Sequence, residues 1–379
     1  MLIRTLAVAL LAVLAPLAGA QPGGGSDGGL GGGPGGGPDA GSIGSLDGAR
    51  VAYPIAAGES PRLVFLSSLG AGEELDELRA ASPNLEIISV RSREQAMQHA
   101  ATAHGIDARF VSAEFVEAAP KLVWVQSTSA GVDRYMGIGP LVETERIVLT
   151  NMRAVHGPTI ADHSFAMLLT LTRNMRVHER NQRNGQWGSR DARAGVALEG
   201  RTMFVVGLGG IGSEIAKRAA GFGMRVIASR RSDRLAPGYV DYVGTPDELL
   251  EMLTEADVVA IALPLTDQTR GLFDAEAFAA MKPGSYLINV GRGPIVETDA
   301  LVAALDSGHL AGACLDVTDP EPLPEGHTLW GRDNVVITPH TAGVAELTSE
   351  RWWALYKENV RRFAAGEPLL NTVDKAAGY

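Results

Sequence analysis

The sequence predicts an α/β fold built from two doubly wound, parallel-sheet domains. Three observations carry that expectation. The chain has 379 residues, room for two ordinary domains. From Arg62 onward, short apolar runs alternate with polar-apolar stretches of helical character, the pattern of a parallel sheet with crossover helices. At Met203 a second such alternation begins, opened by the glycine-rich turn Gly207-Leu208-Gly209-Gly210-Ile211-Gly212.

In the first alternation, Leu63–Leu66, Leu85–Val90 and Leu122–Val125 read as strands, with helices over 73–81 and 94–103. The loop Ser127-Thr128-Ser129-Ala130-Gly131-Val132-Asp133 then puts small residues at a strand end, where backbone N–H groups can approach an anion. Ile160 to Met175 follows Pro158 and is apolar on more than one face, so we expect a largely buried helix leading into the second domain. Further strands are expected over 203–206, 225–228, 258–262, 286–290, 311–316 and 335–338, and a last helix over 348–363.

Composition narrows the function. Hydrophobic residues are 45% and charged residues 20%, the balance of a soluble globular protein. The formal net charge of −11 disfavours a general nucleic-acid binder, which needs a basic face for phosphates. The one cysteine, Cys314, can form neither an internal disulfide nor a Cys-rich metal site, and no spacing of metal ligands stands out, so no metal is expected.

Residues 1–20 combine Arg4, an apolar run from Leu6 to Leu17 and the small-residue end Ala18-Gly19-Ala20, which reads as a secretory signal peptide. The run is too short for a comfortable membrane span. The expected location is therefore export, periplasmic or secreted, after cleavage; with a misassigned start the protein would be cytoplasmic. Residues 21–48 are Gly-rich, bury little and read as a disordered linker.

The Gly207–Gly212 turn follows a strand and opens a helix, the setting in which GxGxxG signals a dinucleotide. Gly207 permits the tight turn, Gly209 lets a pyrophosphate approach, and Gly212 lets helix and strand pack. Gly210 and Ile211 begin the helix whose free N–H groups face the phosphates. At the end of the next strand stand Ser229, Arg230 and Arg231. Arg230 lies 23 residues after Gly207, where an acid would hold the ribose of NAD. Arginine there suits the extra phosphate of NADP, so NADP(H) is favoured with NAD(H) left open. Pro264 and Asp316, after two further strands, complete the expected cofactor contacts.

Three strand ends carry candidates for reducing a keto acid: Arg292 as a cation for a carboxylate, His340 as a proton donor and Glu321 as the acid that tunes it. Taken singly, a histidine after proline can also cap a loop, and an Arg-Gly pair can be turn chemistry. The pieces GLGGIG at 207–212, INVGRGPIVETDAL at 288–301, AGACLDVTDPEPL at 311–323, ITPHTAG at 337–343 and SAGVD at 129–133 stand in order along the chain. Together they closely resemble the D-isomer-specific 2-hydroxyacid dehydrogenases; before Lys121 only the pattern matches. The resemblance implies two Rossmann-like domains with the active site in the cleft between them: a substrate domain from 49–151 plus 341–379, and an NAD(P)-binding domain from 152–340. It implies that Arg292 binds the substrate carboxylate with backbone amides near Ala130 and Gly131, that His340 is the general acid, and that Glu321 orients it. A homodimer through the helix near 160–175 is also implied.

Two positions depart from the family pattern. Asp162 replaces a usual glutamate, and Arg230 replaces the usual acid, as in the NADP-preferring glyoxylate and hydroxypyruvate reductases. Formate dehydrogenases, which carry an amide at the position of Glu321, are disfavoured. The expected function is reduction of a small 2-keto acid; a nicotinamide-sensing or scaffold protein on the same fold is the alternative. Trp124, Arg153 and Trp330 could line the substrate pocket or serve packing alone.

Overall fold

The computed structural model describes residues 44–188, 194–231 and 236–379. The expected signal peptide and residues 21–43 of the Gly-rich tract lie outside these residues. The tract's last residues are part of the fold. Ser45 N–H donates to Asn371 Oδ1 at 2.8 Å, and Asn371 N–H donates back to Ser45 O at 2.8 Å. Paired backbone of this kind is held in place whatever its composition.

Two parallel sheets form the protein. The first has the order β2-β1-β3-β4-β5, from β1 (Leu63–Ser67), β2 (Leu85–Ser89), β3 (Gly105–Asp107), β4 (Trp124–Gln126) and β5 (Val148–Thr150). The second has the order β12-β11-β10-β9-β6-β7-β8. Its strands are β6 (Thr202–Val206), β7 (Arg225–Ser229), β8 (Tyr242–Gly244), β9 (Val258–Ile261), β10 (Ser285–Asn289), β11 (Leu310–Leu315) and β12 (Val335–Ile337). Every residue of β1, β6 and β9 is buried, as expected for parallel strands covered on both faces by helices.

Three strands were not legible in the sequence. β3 consists of Gly-Ile-Asp, and glycine and aspartate are both poor strand formers. It pairs with β1 and β4 nonetheless, and only glycine fits at 105, where an added Cβ would stand 2.7 Å from Phe65. β5 and β8 have three residues each, too short for a periodic signal.

Helix α1 (Gly157–Thr172) carries Pro158 in its first turn, where a missing N–H costs nothing. It lies against helix α2 (Gly210–Gly221), with Gly157 and Gly210 in close approach: a Cβ on Gly157 would meet Gly210 O at 2.8 Å. Asp162 accepts from Arg218 Nε of α2 at 2.6 Å, so this departure from the family pattern serves helix pairing. The last helix, α3 (Glu346–Ala365), returns to the first sheet, where Tyr356, Val360 and Phe363 join Phe65 and Trp124 in one core. Trp124 is fully buried, tilted against Phe363 and stacked on Phe65, so it serves packing. Cys314 is buried in β11, and burial pushes its thiol up, away from reactivity.

Asp107, at the end of β3, is fully buried. Its carboxylate accepts from Ser68 N–H at 2.6 Å, Ser68 Oγ at 2.7 Å and the Tyr356 hydroxyl at 3.0 Å. Burial outweighs these bonds and raises its pKa to about 6. A raised carboxyl favours the fold when protonated. That contribution is complete below the ordinary value of 3.8 and is lost as pH rises through 6. Asp107→Asn mimics the neutral form, so its melting temperature should gain on the parent's between pH 4 and 7. A constant difference across that range would show that the carboxyl titrates normally.

Candidate active site

The carboxyl ends of β10, β11 and β12 carry the three residues expected to do chemistry. Parallel strands lie about 4.8 Å apart, so the loops after β10 and β12 are roughly 10 Å apart at their roots. Asn289 ends β10, is 1% exposed and braces the next turn from within. Its Oδ1 accepts from Gly291 N–H at 3.1 Å and its Nδ2 donates to Arg292 O at 3.1 Å. The Arg292 guanidinium then reaches the first domain. Nε donates to Asp133 Oδ1 at 3.2 Å, and the group lies so close over Gly131 that a Cβ there would stand 1.6 Å from Nη2. The structure thus brings Arg292 and the 129–133 loop together.

That loop is held from below. Asn151 Nδ2 donates to Ala130 O at 2.9 Å, and Trp352 Nε1 donates to Thr128 O at 3.1 Å. The amides of Ala130 and Gly131 donate to no atom among the described residues. A guanidinium beside free amides is a receptor for a carboxylate.

His340 and Glu321 meet. Nδ1 of the imidazole lies 2.7 Å from Glu321 Oε1, with both side chains open to solvent. His340 is in the left-handed region, at φ 55°, and its backbone is fixed there by bonds to Asp316 O at 2.8 Å and Thr338 O at 3.0 Å. The buried Asp316 carboxylate holds the same turn, taking Thr341 N–H at 2.9 Å, Ala342 N–H at 3.1 Å and the Thr338 hydroxyl at 2.7 Å. His163 supports Thr338 from α1, with Nε2 3.0 Å from its hydroxyl. An imidazole anchored through Nδ1 presents Nε2 as a proton donor.

The glycine turn has the shape of a dinucleotide cradle. Gly207 adopts φ +100°, and its amide and that of Leu208 both bond Ser229 O, which ties the turn to the end of β7. A Cβ on Gly212 would stand 2.0 Å from Gly207 O, so helix and strand pack as only glycine allows. A Cβ on Gly209 would meet nothing within 4 Å: this glycine faces open space at the start of α2, whose first amides lack helical partners. Leu263, next to Pro264, packs over Gly207. Arg230 Nε is buried without a hydrogen-bond partner among the described residues. A buried donor left unpaired costs about 1–3 kcal/mol, and an anion at this strand end would satisfy it. The residues present therefore fit a nicotinamide dinucleotide.

Several supporting residues had no separate signal in the sequence. Asp133, Asn151 and His163 act by contact across distant segments, whereas Asn289 braces its own turn; only Asp133 and Asn289 lie inside recognisable motifs. Trp330 is half exposed, its indole N–H on Pro324 O at 2.9 Å.

A two-sheet α/β fold with a glycine cradle and a carboxylate-held histidine defines a nicotinamide-dependent oxidoreductase. Comparison with known proteins narrows the class. The family described as D-isomer specific 2-hydroxyacid dehydrogenase, NAD binding domain, matches residues 165–342. A glyoxylate reductase of Korarchaeum cryptofilum is 36% identical over 272 residues, covering 70% of this chain and 80% of that protein. A D-isomer specific 2-hydroxyacid dehydrogenase from Xanthobacter autotrophicus Py2, solved in complex with NADPH and MES, is 34% identical. It covers 85% of this chain and 100% of its own, with a TM-score of 0.69. An NADPH-dependent glyoxylate/hydroxypyruvate reductase from Sinorhizobium meliloti, solved with NADP and sulfate, is 28% identical, covers 84% and 100%, and also has a TM-score of 0.69. This chain belongs to the D-isomer-specific 2-hydroxyacid dehydrogenases, NAD(P)-dependent oxidoreductases that interconvert 2-keto and 2-hydroxy acids.

Proposed function

We propose that this protein reduces small 2-keto acids of the glyoxylate and hydroxypyruvate kind, with NADPH preferred over NADH. The observation that carries this reading is the Arg292 guanidinium lying over Gly131, beside free amides, on the same sheet edge as the Glu321–His340 pair. Arg292 and the amides of Ala130 and Gly131 hold the substrate carboxylate, and Arg292 polarises the keto oxygen. Nicotinamide, when bound, supplies the hydride. His340 gives a proton from Nε2 to the keto oxygen, and Glu321 keeps the ring turned so that Nε2 faces the substrate. Gly207, Gly209, Gly210, Ile211 and Gly212 cradle the pyrophosphate, and Arg230 and Arg231 hold the extra phosphate. Ser229, Pro264 and Asp316 shape the same crevice.

Residues 49–151 with 341–379 form the substrate domain in this reading, and 152–340 the cofactor domain; the packing of α3 on Phe65 and Trp124 supports the split. A homodimer through α1 and the segment after it is supported by the half-exposed Met175 and the fully exposed Trp187. Export after cleavage of residues 1–20 completes the reading; full-length protein found only in cytosol would overturn it.

The test is oxidation of NADPH and of NADH by the purified protein with glyoxylate, hydroxypyruvate, pyruvate and phenylpyruvate. Turnover with NADPH favoured is the expected result. Cofactor binding without turnover on any of the four would move the protein to the sensor or scaffold reading. Arg230→Asp should weaken NADPH binding about ten- to a hundredfold, the scale of a lost charge-assisted hydrogen bond. NADH binding should hold or improve. An equal loss for both cofactors would remove Arg230 from the phosphate site.

A further inference from the structure

The end of the sequence forms a folded strap that no motif announced. Thr372 forms an antiparallel bridge with Thr150, and Val373 N–H bonds Leu149 O at 2.8 Å, so the strap starts against β5, the edge strand of the first sheet. Lys375 pins it there. Its ammonium donates to Leu141 O and Ile147 O, each at 3.1 Å, and to Thr144 O. Asp374 then curls the chain. Its Oδ1 accepts from Ala376 and Ala377 N–H at 3.0 Å, and its carbonyl accepts from Gly378 N–H at 2.9 Å.

The curl aims the last two residues at the second sheet. A Cβ on Gly378 would come within 3.7 Å of Thr266 Cγ2, in the loop after β9. The Tyr379 ring lies on Arg231, 4.5 Å from guanidinium carbon to ring centroid, after β7. β9 and β7 flank β6, and the strand order runs outward from β6 in both directions. The loops that Gly378 and Tyr379 touch are therefore the two walls of the crevice at the switch point, where a dinucleotide lies.

We propose that Tyr379 is a cofactor-positioning residue: its ring clasps one face of Arg231 and holds that guanidinium at the adenosine end of the crevice for the 2′-phosphate of NADP. A guanidinium donates through N–H groups in its own plane. Stacking on a ring uses a face and leaves those donors free. It also removes the rotamer freedom that an exposed arginine would otherwise lose on binding. The inference rests on the reading of Arg230 and Arg231 as the phosphate site.

The experiment is calorimetric titration of the full chain with adenosine 2′,5′-bisphosphate and with adenosine 5′-monophosphate. The parent should bind the bisphosphate more tightly. Tyr379→Ala should weaken the bisphosphate about three- to tenfold, the scale of a cation–π contact, and change the monophosphate less than twofold. Tyr379→Phe should retain the parent's affinities, because the ring is kept. In an Arg231→Ala background, Tyr379→Ala should add nothing. A parent with no preference for the bisphosphate overturns the phosphate-site reading and the clasp with it. A parent with the preference but an unaffected Tyr379→Ala overturns the clasp alone, as does an equal loss for both nucleotides.

Discussion

His340→Ala should lower turnover by about 10²–10⁴-fold, the range for losing a positioned general acid, while leaving NADPH affinity within about twofold. The separation follows from where the side chain points. Its Nδ1 is engaged with Glu321 at 2.7 Å, and the ring stands at the end of β12, separated from the glycine turn after β6 by the three strands β11, β10 and β9. Among the described residues, the imidazole's hydrogen bond goes to Glu321 and none goes to the cradle. The backbone at 340 is held at a positive φ by Asp316 and Thr338 through main-chain bonds, and these survive removal of the ring. Steady-state rates with saturating keto acid, next to cofactor titration, check this. Activity near the parent's would remove His340 from the proton path. Glu321→Gln keeps an acceptor for Nδ1 but removes its charge, and should cost less than His340→Ala.

Gly293→Ala should be the most damaging single methyl in the site. An added Cβ would stand 1.9 Å from Thr318 O and 2.2 Å from its carbonyl carbon, and both atoms are backbone and cannot rotate away. The two loops that must part are the ones carrying Arg292 and Glu321. Thr298 Oγ1, bonded to Asp319 O at 2.8 Å, ties them together a second time. Relief of the clash therefore displaces the carboxylate receptor from the proton donor's partner. Misplacement of about 1 Å can cost 10²-fold, so kcat/KM should fall at least that far. The melting temperature should drop by several degrees, as for other overpacked positions. Gly209→Ala is the contrast. Its Cβ meets nothing within 4 Å, so the melt should hold while cofactor affinity falls, because the methyl enters the space a pyrophosphate needs. Equal melts and equal rates for Gly293→Ala and the parent would show that the loops have slack the packing does not suggest.

The parts of the fold legible in the sequence are those where one local rule decides. β1, β6 and β9 are built on apolar runs of four residues because parallel strands are covered on both faces, and α1 and α2 begin where Pro158 and the glycine turn place them. β3 escaped because two of its three residues, glycine and aspartate, are poor strand formers and three residues are too few for a periodic signal. It exists because β1 and β4 offer it ladders on both sides, and because only glycine clears Phe65.

For the site, the sequence by itself determined the chemical groups: a glycine turn before a helix, arginines in place of an acid after β7, and an arginine, a glutamate and a histidine at three strand ends. These follow from motifs a few residues long, in which covalent spacing sets geometry. Only the tertiary structure decided which partners hold them. Asp133 under Arg292, Asp316 behind the His340 turn, Asn151 beneath Ala130 and Tyr379 over Arg231 are contacts between segments from 21 to 159 residues apart. No local pattern encodes them: Asn151 and Asp316 meet partners on loops after neighbouring strands of their own sheets, while Asp133 and Tyr379 depend on where the two sheets and a returning strap come to rest against one another.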